Sequence, residues 1–249
     1  MKKHILRIHL LCFLIAFFIS RSFGQTVSAD SVNLQQTISH FYKAIGEESR
    51  LYNGHEYPPY DPQIKNSALY PYDAKTWAPG DINYDDVLYR NVPMMYDVYK
   101  DAVIVLLYNK FSMYSLLSDR VHNFSFLNRR FIRLNADQIR DNQLGLSTGF
   151  YEQLYAGKKI EVLAKRSKTI QTTSNTTAAP ETYFYEKNEY YLKKGDAYYK
   201  VSSKGSVLKI LKDKKSELQK YIKQNDINYG DNPEDAMAKI ASYYDHLTN

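Results

Sequence analysis

Cysteine is nearly missing from this chain of 249 residues, because its one cysteine, Cys12, lies inside an apolar run close to the start. If that run is removed as a leader, the remaining chain has no disulfide, no thiolate metal site and no thiol nucleophile. More apolar sequence follows Cys12, whereas a lipid-modified cysteine stands just past the apolar region. The sequence therefore predicts no lipid anchor at Cys12.

A second long hydrophobic run is also missing. Three basic residues precede the apolar run 10–19, which is too short to span a bilayer comfortably, and Ser22-Phe23-Gly24 places small residues where a signal peptidase reads them. We predict that residues 1–24 are a signal peptide cleaved near Gly24–Gln25. The mature chain is then exported, periplasmic or extracellular, and has no transmembrane segment.

A true excess of one charge is missing as well. The chain has 33 basic and 27 acidic residues, a net charge of +6, but four of the basic residues and none of the acidic ones lie in the leader. The mature chain keeps 29 basic residues against 27 acidic ones, a net charge of +2. The high pI thus belongs largely to the leader, and we predict no nucleic-acid partner.

Tyrosine, by contrast, is abundant, with 24 residues against 11 phenylalanines. Tyrosine suits half-buried strand faces, where the ring packs and the hydroxyl stays in water. The same composition also suits a surface on which carbohydrate rings stack, so both interpretations stay open.

Strand signals dominate the middle of the chain. Val92, Met94, Tyr96 and Val98 recur at every second position, residues 102–108 are continuously apolar, and further alternating runs reach 207–211, separated by tight-turn residues. We predict a large antiparallel β-meander over residues 84–212, sandwich or barrel-like. The polar tract 167–180 has little to bury and is predicted to be a mobile hairpin tip.

Helical spacing appears at both ends, so the predicted fold class is α+β. Apolar residues recur from Leu34 to Ile45, and two more helices are predicted over 213–249, the second starting at Asn232-Pro233. Residues 25–83 combine the first helix with a proline-rich segment. We predict that this segment is irregular, because proline lacks the N–H donor that a strand ladder needs.

Two catalytic or metal motifs occur, and neither has the required context. Gly145–Gly149 matches the nucleophile elbow G-x-S-x-G, but a strand-like segment follows it where a helix should begin. Asp81–Asp86 resembles the start of a calcium loop, but it lacks the glycine at position six and the glutamate at position twelve. We therefore predict no catalytic residue, no metal site and no cofactor.

The most unusual cluster lies in the irregular segment, where binding residues tend to lie. Its candidate ligand-binding residues are Tyr52, Asn53, His55, Glu56 and Tyr57. Asn53-Gly54 is equally a common turn pair, and the aromatic rings can be packed against the sheet for structural reasons. Both interpretations stay open here.

Several segments together resemble a group of exported bacterial proteins of unknown function. They are Leu51-Tyr52-Asn53-Gly54, the stretch 87–93 (VLYRNVP), Gly149-Phe150-Tyr151, and the C-terminal 214–218 (KKSEL) with Tyr243-Tyr244. The resemblance covers nearly the whole mature chain. It implies export and brings no activity, substrate or site residue.

The predicted function is a non-enzymatic bacterial envelope protein that binds a ligand or a partner, either an envelope protein or a glycan. The alternative is a hydrolase that uses carboxylates near residues 52–61, such as Glu56 and Asp61. A sequence can hide such a pair, because the pairing is spatial.

Overall fold

The computed structural model describes residues 49–70, 77–107, 109–139, 145–175 and 178–248, together with Thr37, His40 and Ala44. The chain divides into two compact units, Met1–Ile45 and Gly46–Asn249, and the architecture below is that of the second. The predicted signal peptide and the predicted helix from Leu34 to Ile45 lie outside the described ranges.

One antiparallel sheet of twelve strands forms the body of this unit. Its spatial order is β1-β6-β5-β4-β3-β7-β8-β9-β10-β11-β12, with the short β2 beside β4. The strands are β1 His55–Glu56, β2 Leu69–Tyr70, β3 Ala78–Tyr84, β4 Val87–Asp97, β5 Ala102–Leu106, β6 Met113–Ser115, β7 Val121–Phe126, β8 Arg129–Leu134, β9 Gly149–Ala156, β10 Ile160–Asn175, β11 Ala178–Lys194 and β12 Ala197–Val201.

The predicted antiparallel meander is confirmed, but the sheet does not close into a barrel. On one side of β3 the strands β4, β5 and β6 follow in sequence order. On its other side β7 pairs with β3, and β8 to β12 then follow in sequence order. The two terminal strands, β1 and β12, do not pair with each other. β3 starts at Ala78, and both β1 and β2 fall inside the segment predicted to be irregular.

The sheet coils strongly enough to bring distant strands together. The ring centroids of Tyr96 on β4 and Phe150 on β9 are 6.1 Å apart, although three strands, β3, β7 and β8, lie between β4 and β9 in the sheet. Phe124 and Phe131 stack between them at 4.7 Å, and all four rings are almost fully buried. Each such ring pair adds about 0.5–1.5 kcal/mol beyond its buried area. This aromatic core fills the inside of the coil.

Two prolines lie opposite each other within strands. Pro79 of β3 pairs with Pro93 of β4. The ladder between β3 and β7 begins at Gly80, and the ladder between β4 and β5 begins at Met94. On the side facing away from the other proline, each proline therefore lies one residue outside the paired ladder. Its missing N–H breaks no hydrogen bond there.

Three C-terminal helices follow the sheet: the two predicted over 213–249 are present, and one that was not predicted precedes them. They are α1 Lys204–Ile210, α2 Lys215–Gln224 and α3 Pro233–Thr248, with short 3-10 turns at 50–52, 118–120, 136–138 and 212–214. The missed helix covers most of 207–211, which the alternation suggested was a strand. Ser203 and Ser206 form a capping box that starts α1. Five residues are too few to separate the two periodicities.

The helices pack on one face of the last strands. Val162, Leu192 and Val201 of β10–β12 share a buried cluster with Leu218 of α2 and Ile240 of α3. The predicted fold class therefore holds in its coarse form, a large antiparallel sheet with C-terminal helices.

The polar tract 167–180 lies at the end of a hairpin, as predicted, but the strands continue into it further than the sequence indicated. Its described residues lie in β10 and β11, which pair continuously from Ile160–Lys194 to Thr173–Glu181, with one register shift before Asn175–Ala178. Threonine has a high β propensity, so a tract with few apolar residues can still form strands.

Candidate functional site

Tyr57 is the most deeply buried of the five candidate residues, and its side chain is committed to the fold. Its hydroxyl donates to Asp97 Oδ2 at 2.8 Å, and the Tyr60 hydroxyl donates to the same oxygen at 2.7 Å. Asp97 is fully buried, and the Lys100 ammonium lies 4.6 Å from the Tyr57 ring centroid. Burial, then the Asp97 charge, raises the pKa of the Tyr57 hydroxyl far above its usual range. The ring and its hydroxyl anchor this segment on β4.

His55 and Glu56 form β1, the two-residue edge strand, and both are exposed. They pair with Ser115 and Tyr114 of β6. Gly54 precedes them because a Cβ at this position would clash with the Ser115 carbonyl oxygen. The Asn-Gly pair thus serves a close approach of two backbones. The His55 and Glu56 side chains are exposed, whereas the Tyr57 ring is buried with Asp97 of β4, so the three do not form one site.

Asn53 is the candidate that borders a depression. Its side-chain amide lies 2.5 Å from the Tyr84 hydroxyl, and in the orientation that satisfies its neighbours its oxygen accepts from Arg120 at 3.1 Å. The depression has a volume of about 410 Å³ and is lined by Arg50, Asn53, Asp85, Asp86 and Arg120. Tyr52, half-buried beside Asn53 in sequence, does not line it, and neither do His55 and Glu56.

The charges around this depression balance each other. Arg120 pairs with Asp85 at 3.4 Å, and His122 lies 3.1 Å from Asp86. Asp85 and Asp86 both have positive φ and form the two-residue turn between β3 and β4. The calcium-like start at Asp81 is therefore a strand followed by a hairpin turn.

The strongest concentration of buried charge lies elsewhere, between the sheet and α3. Arg166 of β10 donates to Glu152 Oε2 from Nε at 2.8 Å and to Glu234 Oε1 from a terminal nitrogen at 2.6 Å. Only 4% of Arg166 and 2% of Glu152 are exposed. Arg129 pairs with the second oxygen of Glu152. Two guanidinium groups thus neutralise two carboxylates.

Two tyrosines complete this ionic cluster, which we define as Arg129, Glu152, Arg166 and Glu234. Tyr70 donates to Glu152 at 3.2 Å, and Tyr190 donates to Glu234 at 2.8 Å. Burial, then Glu234, raises the pKa of Tyr190 to about 12. Burial alone would raise the pKa of Glu234, but the hydrogen bonds and charge of Arg166 outweigh it and lower that pKa. Glu234 thus clamps α3 to the sheet through Arg166 and Tyr190, while Glu152 holds Arg166 in place from within the sheet.

The serine motif Gly145–Gly149 has the context of a turn. Residues 145–148 have no helix or strand, and β9 begins at Gly149. A Cβ on Gly149 would clash with the Asp101 carboxylate and the Lys165 ammonium, which pair at 2.7 Å. The glycine is therefore needed for packing against this ion pair. Nothing in this arrangement raises the serine above a sheet as an elbow does.

The described residues contain no group of three or more His, Cys, Asp or Glu side chains able to hold a metal ion. In the same part of the chain, no helix combines the length and apolar character that a membrane crossing requires.

The feature that the sequence interpretation missed is a projecting ribbon at the end of β10 and β11. β9 pairs with β10 only over Glu161–Ala164, and β12 pairs with β11 only over Tyr190–Lys194. Beyond these ladders the two strands continue together. We call the paired stretches 169–175 and 178–187 the arm. Continued alternation through Tyr183-Phe184-Tyr185 was the available signal.

The arm has one aromatic face. Tyr183 and Tyr185 lie on it with ring centroids 5.9 Å apart, and Tyr185 is 40% exposed. Their cross-strand partners are Gln171 and Thr169, both exposed. Phe184 points to the other face and packs edge-on against Tyr60 at 5.0 Å. One face of the arm is thus held by the body, and the other presents rings beside hydroxyl and amide groups.

Comparisons with known proteins give no match: no family model, no curated protein and no solved structure matches this chain.

Proposed function

We propose that this chain is an exported, non-enzymatic binding protein of the bacterial envelope, and that the arm is its binding element. One observation carries the proposal: the arm is an ordered, paired ribbon whose outer side chains are exposed from Thr169 to Thr173. Tyr185 on this ribbon is 40% exposed, and tyrosine is enriched among the residues that dominate binding at interfaces.

Export is supported by the leader pattern of residues 1–24 and by the resemblance to exported bacterial proteins. The mature chain carries a net charge of only +2, which favours a partner recognised by shape and hydrogen bonds over a polyanion. The partner classes are an envelope protein and a glycan, and the tyrosine face of the arm suits both.

A hydrolase at residues 52–61 has less support. Tyr57 is committed to Asp97, while Glu56 and Asp61 are both exposed. Asp61 also accepts a hydrogen bond from the Gln63 amide at 2.9 Å, as turn-forming aspartates do. Three carboxylates are buried among the described residues, and each has its oxygens engaged. Asp97 accepts from Tyr57 and Tyr60, Glu152 is paired with Arg129 and Arg166, and Asp245 accepts from the backbone N–H groups of residues 158 and 159.

The test compares the full chain with two variants in the same binding assays. In the first variant Asn-Gly replaces residues 170–184, so that the paired residues Thr169 and Tyr185 flank a two-residue turn and most of the arm, including Tyr183, is removed. The second variant is His55→Ala with Glu56→Ala. The probes are a bacterial glycan microarray and a displayed library of 12-residue peptides.

We expect the full chain to bind a probe, the shortened arm to lose that binding, and the double alanine variant to keep it. Circular dichroism and thermal unfolding check that each variant is folded. Binding that survives shortening of the arm but disappears in the double alanine variant would move the site to residues 52–61. Turnover of generic ester or glycoside substrates, lost in the same variant, would support the hydrolase.

A further inference from the structure

One edge of the arm is open. Beyond Ala164 the described strands offer β10 no partner on the side away from β11, and from Thr169 onwards its side chains are exposed as far as Thr173. Along the stretch Thr169–Asn175, alternate backbone N–H and C=O groups therefore face outwards, available to another strand.

This open edge also lacks the usual protection. Natural edge strands avoid adding a further strand by being short or by carrying charges or proline. The terminal strand β1 is only two residues long, and β12 is five residues long with Lys200. Thr169–Asn175 is seven residues long and has neither a charge nor a proline. The edges of the sheet are thus protected at its two ends and unprotected on the arm.

The opposite edge of the same arm, on β11, already pairs with one residue of the chain, Lys65. Lys65 N–H donates to the Thr182 carbonyl at 2.8 Å, and Phe184 N–H donates to the Lys65 carbonyl at 3.1 Å, in a parallel bridge. The Asn66 side chain adds a bond to the Phe184 carbonyl at 3.1 Å. Among the described residues, the β11 edge of the arm therefore pairs by strand-type hydrogen bonds with one residue of the same chain, and the β10 edge from Thr169 onwards pairs with none.

We propose that the open edge Thr169–Asn175 receives an extended segment of a partner protein as an additional β-strand. This inference rests on the proposed function, which it narrows from a protein or a glycan to a polypeptide. Main-chain hydrogen bonds supply the affinity, and alternate side chains supply the specificity. On one face the added strand lies beside Thr169, Gln171 and Thr173, and on the other beside Ile170 and Thr172. An uncharged segment with alternating β-branched and hydroxyl side chains fits this edge.

The decisive probe is a peptide selected from the displayed 12-residue library on the full chain, then synthesised in two N-methylated forms. In one form the methyl groups replace the N–H groups of odd positions, and in the other those of even positions. Only one set of N–H groups of an added strand points towards β10. We expect one form to lose at least about tenfold in affinity and the other to stay within about twofold. Equal effects of the two forms would overturn strand addition.

A charge variant tests the protein side of the contact. Gln171→Lys with Thr173→Lys adds two charges to the open edge, and Gln219→Lys with Gln224→Lys adds the same two charges to exposed positions of α2. We expect the first variant to lose the peptide and the second to keep it. Hydrogen exchange should slow at residues 169–175 when the peptide is added, and unchanged exchange there would contradict the proposal.

The remaining outcomes separate the two proposals. If a glycan binds, or if Tyr183→Ala with Tyr185→Ala abolishes binding while the edge amides stay unprotected, the arm is the site but strand addition is wrong. If no probe binds the arm, both proposals fail. If sedimentation shows a dimer that the edge lysines dissociate, the added strand comes from a second copy, and the assignment to a partner protein is wrong.

Discussion

The two ends of the β10–β11 hairpin are built from the same two strands in one register, yet they differ in almost every physical respect. At the base, Val162 and Leu163 are fully buried on opposite faces, one under the helices and the other against Tyr151 and Tyr191. Towards the tip, Ile170 is 38% exposed and its strand has no neighbour on one side. Strand structure alone therefore does not make a core, since the elements packed on each face decide burial.

The comparison also explains how the tyrosines are used. Tyr57, Tyr70 and Tyr96 are buried, and each hydroxyl donates to a carboxylate. On the arm, Tyr185 is 40% exposed, and the half-buried Tyr183 donates to Glu181, an exposed acid. The tyrosines of the body thus bond acids within the core region, whereas those of the arm lie at the surface. The amino-acid composition alone does not distinguish these two groups of tyrosines.

The largest expected effect tests the buried side of this comparison. Arg166→Met leaves Glu152 and Glu234 without their shared guanidinium, and breaking a buried ion pair costs about 3–5 kcal/mol of the free energy of unfolding. Lys187→Met, on the exposed end of β11, is the matched control and should change it by less than about 0.5 kcal/mol. Urea unfolding followed by circular dichroism measures both. Similar losses would show that the two ends do not differ energetically.

An intermediate effect is expected at the predicted binding segment. Tyr57→Phe removes one of two hydroxyl donors to the buried Asp97 oxygen and should cost about 1–3 kcal/mol. His55→Ala with Glu56→Ala changes two exposed side chains of β1 and should cost less than about 0.5 kcal/mol. Chemical denaturation midpoints give both values. The reverse order would mean that β1, and not Tyr57, anchors the segment.

The smallest effect concerns acid. The pKa of Glu234 is lower in the folded protein than in the unfolded chain, so its ionised form stabilises the fold above the unfolded value of about 4.3. This contribution is lost as the pH falls through the folded pKa. Glu234→Gln keeps the shape and a hydrogen-bond acceptor, so its loss of stability between pH 7 and pH 3 should be smaller than that of the wild type. Urea midpoints at the two pH values measure it, and equal losses would contradict the clamp.

The amino-acid sequence by itself determined the local features. Alternating apolar residues predict most of the strands, and Asn232-Pro233 predicts the start of α3. These signals are short-range, because period and capping act over a few residues. The same locality explains the misassignment of 207–211, where α1 depends on a capping box and on burial of Val207 and Leu208.

Only the tertiary structure decided which residues meet. Arg166 and Glu234 are 68 residues apart in sequence, and Tyr57 and Asp97 are 40 apart, so no local pattern announces either contact. The same is true of the open sheet and of the free edge of β10. That edge exists because the pairing of β10 with β9 ends at Ala164. Pairing between strands is a property of two segments at once. The sequence therefore determined what each segment could form, and the coiling of the sheet decided which segments are buried and which edge of the described strands is left unpaired.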